Sequence, residues 1–302
     1  MLRPLLPHGA RVALVAPSGP LAGEPELARA VENVRSFGWE PVTFPHALAR
    51  DGYFAGPDAA RLEDLNAALA DPTVDGIWCL RGGYGAMRLL EGLDLRAARS
   101  RPRALLGYSD ITALHAAMGA RCEMITYHAP TARAVITPFA RASLERAVVQ
   151  GTNSCGDASD GITLRGGRAE GRLVGGNLAL LTALAGTPWA PSYDGAILVL
   201  EDVNEAVYRI DRMLVTLRLG GSLSRLAGLV FGQFTNAPEE SDDGARTLMD
   251  VLAETAAAAG VPCLANVPVG HIDDQWTLPL GATAHLDADA QTLTIVSPAS
   301  TD

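Results

Sequence analysis

The chain has 302 residues, 48% of them hydrophobic and 19% charged, with a formal net charge of −10. That length suits two domains with separate cores, and no apolar run approaches the ~20 residues of a membrane span. The acidic balance argues against a nucleic-acid partner, whose phosphates need a basic face, and all 24 cationic residues are arginine, which excludes Schiff-base lysines, pyridoxal phosphate attachment, Ser–Lys dyads and a P-loop lysine.

In chain order, RVALVAP (11–17) predicts a buried strand ending in the loop Ser18-Gly19-Pro20. Helical periodicity over 24–37 is closed by Gly38, a strand follows at 40–44, and a second helix spans 57–69. The strand at 76–80 runs into Arg81-Gly82-Gly83-Tyr84-Gly85, after which Met87, Leu89 and Leu90 open another helix. Ala104–Leu106 is too short for a helix and precedes Gly107 and Tyr108, so it reads as a fourth buried strand. Ser109 and Asp110 then begin a helix, and 124–127 is a fifth strand ending in His128-Ala129-Pro130. Strands alternating with helices predict a doubly wound parallel sheet over residues 1–150. The polar, glycine-rich stretch 151–170 reads as a linker.

Residues 171–302 predict a mixed α/β, strand-rich domain. It holds a strand at 172–174, a helix capped by Asn177, and a hydrophobic strand at 196–200 broken by Glu201-Asp202. Val207, Ile210, Leu214 and Leu217 mark a helix whose other face carries Arg209, Asp211 and Arg212. A strand at 228–234, a helix at 243–259, the stretch 264–269 leading to Gly270-His271, and a hairpin of 282–286 with 292–296 complete the chain. Cys79, Cys122, Cys155 and Cys263 form no C-x-x-C pair, and Cys79 and Cys263 read as core residues. The first residues lack the apolar run and cleavage site of a secretory signal, so a cytoplasmic protein is expected.

In a parallel sheet, ligands gather at the carboxyl ends of the strands, where RGGYG, YSD and YHAP all fall. Ser109 has two readings: a helix cap, the commonest role of a serine at such a place, or a nucleophile beside a helix N-terminus that favours an oxyanion. Ile111 stands where G-x-S-x-G requires its second glycine. Among the histidines, His271 follows a strand and heads a polar loop. Glu201 ends a core strand, where a carboxylate must be paired; it either meets Arg209 or Arg212 in a buried salt bridge or accepts an N–H from His271 and fixes its tautomer. No histidine pair has metal-ligand spacing, so no metal or other cofactor is expected. A non-catalytic nucleotide or sugar binder on the same sheet is the rival from another class; VAPSGPLAG is a poor match to G-x-G-x-x-G.

Six segments in order carry a resemblance: VALVAPSGP (12–20), LRGGYGAMRLL (80–90), LLGYSDITALH (105–115), GRLVGGNLALLTALAGTP (171–188), LVLEDVNEAVYRIDRML (198–214) and VPVGHIDDQWTLPLGA (267–282). Over nearly its whole length the chain resembles the LD-carboxypeptidase family of serine peptidases, which includes microcin-C-degrading hydrolases. The resemblance implies a triad of Ser109, His271 and Glu201 spread over two domains, with Ala129 departing from the family's usual glycine. Together with the loop chemistry it gives an oxyanion hole from the backbone of Asp110 and of Gly82 or Gly83, and substrate contacts from Arg81, Tyr84, Tyr108, His128 and Arg209. The implied substrate is a murein tetrapeptide that loses its terminal D-alanine, with a hydrolase of peptidyl- or aminoacyl-nucleotide conjugates as the alternative. A homodimer is the implied assembly.

Overall fold

The computed structural model describes residues 5–156, 158–238 and 246–296. The first half lays down β1 (Arg11–Val15), α1 (Glu24–Ser36), β2 (Glu40–Thr43), α2 (Asp58–Ala70), β3 (Gly76–Cys79), α3 (Leu95–Ser100), β4 (Ala104–Gly107), α4 (Thr112–Cys122), β5 (Thr126–His128) and α5 (Pro138–Leu144). The second half lays down β6 (Ile162–Arg165), β7 (Arg168–Asn177), α6 (Leu178–Ala183), β8 (Ala196–Val203), α7 (Val207–Leu219), β9 (Gly228–Thr235), α8 (Leu248–Ala259), β10 (Cys263–Ala265), β11 (Leu278–Leu280), β12 (Thr283–Asp287) and β13 (Thr292–Ile295).

Two sheets result. The first has the order β11-β5-β4-β3-β1-β2, parallel throughout except for β11. Its strands alternate between two cores: Ala13, Val15, Ile77, Cys79 and Leu105 face one, and Val12, Leu14, Trp78, Leu80 and Leu106 the other. Burial on both faces is why these strands are continuous apolar runs. The second sheet has the order β13-β12-β7-β8-β9-β10-β6, parallel over its four inner strands and antiparallel at both ends. The expected parallel sheet and strand-rich mixed half are both present. Among the described residues no helix is long and apolar enough to cross a membrane.

Several expected elements differ. The stretch opened by Met87 is a 3₁₀ segment, Ala86–Gly92, before α3. The strand expected to break at Glu201 continues to Val203. The helix expected from Asp243 begins, among the described residues, at Leu248 behind a Thr247–Asp250 capping box, and residue 243 lies outside them. Two segments cross the expected division at 1–150, 151–170 and 171–302. Within the expected linker, β6 pairs with β10 and β7 begins at Arg168. From the C-terminal half, β11 pairs antiparallel with β5 of the first sheet. The segment from Asn266 to Thr277 therefore spans from one sheet to the other, and His271 lies on it.

Candidate active site

The site begins at the end of β4. The chain leaves the strand through Gly107 and an extended Tyr108, and enters Ser109 with φ +65°. A non-glycine residue in the left-handed region is uncommon and persists only where its surroundings hold it. The sharp turn lifts the hydroxyl off the sheet ahead of α4, as a nucleophile elbow does. Ser109 caps no helix here: Tyr108 and Ile111 hold the N-cap positions of the short 3₁₀ turn Ser109–Ile111 and of α4, and neither has a side-chain cap bond. The Ser109 Oγ meets His271 Nε2 at 3.1 Å instead.

His271 Nδ1 meets Glu201 Oε2 at 2.7 Å. Glu201 is fully buried on β8, opposite an irregularity where Leu200 pairs Phe231 but Asp202 pairs Phe234. The extra residue on β9 lets Gln233 N–H reach the Val269 carbonyl at 2.8 Å, which ties the histidine loop to the strand end. Gly270 completes the approach: at φ +127° a Cβ there would lie 3.0 Å from Glu201 Cβ and Oε2. The salt-bridge alternative for Glu201 is not what the geometry holds, because Arg209 pairs with Glu205 and Arg212 lies over the Tyr208 ring.

The glycine loop after β3 packs directly on the hydroxyl. A Cβ on Gly82 would stand 2.9 Å from Ser109 Cβ and 3.1 Å from its Oγ, so only a bare backbone fits. The Gly82 carbonyl accepts from Gly19 N–H at 3.0 Å, which joins the loop after β1. Asp110 binds the three loops together. Its buried Oδ2 accepts from Ser18 Oγ at 2.6 Å and from Ala86 N–H at 2.8 Å, while Oδ1 has no hydrogen-bond partner among the described residues. Burial raises its pKa, against the lowering effect of those two bonds. The sequence points only to the backbone of Asp110; the partners of its carboxylate lie 92 and 24 positions away, which no local pattern reveals.

The remaining expected contacts divide. The Tyr108 ring lies 4.8 Å from the His271 ring, between centroids. Arg81 and half-exposed Tyr84 line an open pocket beside Gly83. His128, expected at the substrate, is 1% exposed and lies behind Tyr108, with ring centroids 5.8 Å apart; the end of β5 points it into the interior. Burial pushes its pKa down to about 3, and the neighbouring His115 and His271 push the same way. Arg209 faces solvent on α7 against Glu205 and Tyr208.

A hydroxyl, an imidazole and a carboxylate in line at the carboxyl end of a parallel sheet is the arrangement used by acyl-transfer hydrolases. The particular family follows from comparison: the chain belongs to the LD-carboxypeptidase family, whose N-terminal domain matches residues 12–129 and whose C-terminal domain matches residues 170–286. It is 40% identical to a Streptomyces coelicolor protein described as a "putative carboxypeptidase", over 99% of this chain and 97% of that one. It is 35% identical to the murein tetrapeptide carboxypeptidase of Pseudomonas aeruginosa, over 94% of this chain and 95% of that one. The solved structure of the microcin C7 self-immunity protein MccF shares the fold, with a TM-score of 0.88 at 24% identity over 99% of both chains.

Proposed function

We propose that this protein is a serine-type LD-carboxypeptidase that releases the terminal D-alanine of a murein tetrapeptide during cell-wall recycling in the cytoplasm. The observation that carries the reading is the relay Ser109 Oγ–His271 Nε2–Glu201 Oε2, with contacts of 3.1 and 2.7 Å, assembled from both sheets. In the proposed reaction His271 takes the hydroxyl proton as Ser109 Oγ bonds to the scissile carbonyl carbon. It then gives that proton to the leaving amine as the amide breaks. Water repeats the cycle on the acyl-enzyme and frees the tripeptide. Glu201 holds the imidazole in the tautomer with its proton on Nδ1 and stabilises the imidazolium. The N–H of Asp110 and one from Gly82 or Gly83 would hold the oxyanion, and Arg81 would meet a substrate carboxylate.

The test is release of free D-alanine from a defined murein tetrapeptide, run beside an aminoacyl-adenylate analogue. We expect turnover of the tetrapeptide, abolished by Ser109→Ala, Glu201→Ala and His271→Ala with the circular dichroism spectrum unchanged. Preferential cleavage of the adenylate analogue would favour the nucleotide-conjugate reading, and a near-native rate in any one variant would refute the triad. The homodimer that accompanies this reading is checked by sedimentation equilibrium.

A further inference from the structure

Beside the glycine loop lies a pocket walled by Gly19, Pro20, Arg50, Tyr53, Arg81 and Tyr84. Two guanidinium groups are held there by one loop: Arg81 Nη1 donates to the Pro20 carbonyl and Arg50 Nη2 to the Leu21 carbonyl, the latter at 3.1 Å. Among the described residues neither arginine has a carboxylate within ion-pair distance. The acid nearest in charge to Arg81 is Glu26, and both its oxygens are taken, one by Arg133 and the other by the Ala22 N–H. The neighbouring Arg61 and Arg88, by contrast, are both paired with Asp58. Both guanidinium groups thus rest on adjacent backbone carbonyls, those of Pro20 and Leu21, and not on a carboxylate. Beside them Tyr53 and Tyr84, with ring centroids 5.8 Å apart, present exposed rings.

An enzyme that removes one terminal residue must read the chain end, and that end lies within one residue, at most ~3.6 Å of extended chain, of the bond it cuts. The pocket is placed accordingly, since Gly82 touches Ser109 and residues 81 and 83 line the cavity. Building on the proposed reaction, we propose that Arg50 and Arg81, walled by Tyr53 and Tyr84, form the subsite for the free terminal carboxylate of the substrate. This assigns exopeptidase specificity to the 50–53 loop as well as to the glycine loop. An arginine pair held in place from behind keeps its remaining N–H groups for a carboxylate.

The experiment measures binding and needs no turnover. Calorimetry on the Ser109→Ala protein compares a murein tetrapeptide bearing a free terminal carboxylate with the same peptide ending in a carboxamide. The carboxamide should bind about 10- to 100-fold more weakly, the scale of a charge-assisted contact. Arg50→Gln, at an exposed position, and Arg81→Gln, each added to Ser109→Ala, should shrink that gap to within about twofold by weakening the acid form alone. An unchanged gap in both arginine variants, no gap in the Ser109→Ala parent, or no binding of either peptide would overturn the proposal. Fluorophosphonate labelling of the wild-type protein runs in parallel. A full acid-to-amide gap with Ser109 unlabelled would sink the hydrolase reading and leave the carboxylate subsite standing.

Discussion

Ser109 sits in a backbone conformation that costs energy unless neighbours enforce it, and Asp110 is the neighbour best placed to do so. Removing its carboxylate leaves the Ser18 hydroxyl and the Ala86 N–H buried without an acceptor, at about 1–3 kcal/mol each. Asp110→Ala should lower both the melting temperature and kcat, and thermal unfolding beside steady-state kinetics checks this; an unchanged kcat would show that the clamp is irrelevant to the hydroxyl. His115 offers a pH prediction. Buried, with Nε2 2.8 Å from the Gly107 carbonyl, its ring is pushed down to about 4. A folded value below the unfolded ~6.5 means stability is fully present above pH 6.5 and falls as pH drops towards 4. Asp202, pushed up to about 6 by burial, acts in the opposite sense over part of that range, so the comparison of parent with His115→Gln isolates the histidine. The variant should lose on the order of 3 kcal/mol less between pH 6.5 and 4 in urea titrations. At this scale Ser109, His271 and Glu201 come together as a triad only through the family resemblance; read alone, Glu201 stays open between an arginine and His271. Ser109 likewise stays between cap and nucleophile, since φ +65° is not written in the residue itself. The Asp110 carboxylate is invisible in the sequence because its partners, Ser18 and Ala86, lie 92 and 24 residues away.

At the scale of elements, strands end where bare backbone is needed. Gly82→Ala would force a Cβ to within 2.9 Å of Ser109 Cβ, and the displaced loop should cost at least about 100-fold in kcat, comparable to losing an oxyanion donor. Gly270→Ala, crowding Glu201, should act in the same direction. Retention of wild-type kcat by Gly82→Ala would contradict the packing described. Most of the first sheet was legible because doubly buried parallel strands are unmistakable apolar runs; β1, β3 and β4 lie where the pattern put them. The exceptions have physical causes. β6 reads Ile-Thr-Leu-Arg, an exposed edge strand whose polar neighbours resemble a linker. β11 is only Leu-Pro-Leu, and proline is tolerated there because the strand lies at an edge. β8 runs through Glu201-Asp202 because buried partners, not solvent, receive those carboxylates. Asn177 donates to Asp202 at 2.9 Å and the Glu201 Oε2 faces His271.

Across the whole molecule, the proposed chemistry depends on the two sheets keeping their distance, because Ser109 hangs on one and Glu201 on the other. One contact between them joins Thr112, at the start of α4, to the end of β7. The Asn177 N–H donates to Thr112 Oγ1 at 3.0 Å, and a Cβ on Gly176 would fall 2.5 Å from the same oxygen. Gly176→Ala should therefore push the halves apart and lower kcat more than it lowers stability, whereas a drop in melting temperature with kcat intact would assign the glycine to folding alone. The most direct measurement of the central claim is mass spectrometry of the protein treated with a fluorophosphonate. The account predicts one adduct, on Ser109, formed quickly in the wild type and at least about 1000-fold more slowly in His271→Ala. An adduct elsewhere, or equal labelling of Ser109 without the imidazole, would contradict it.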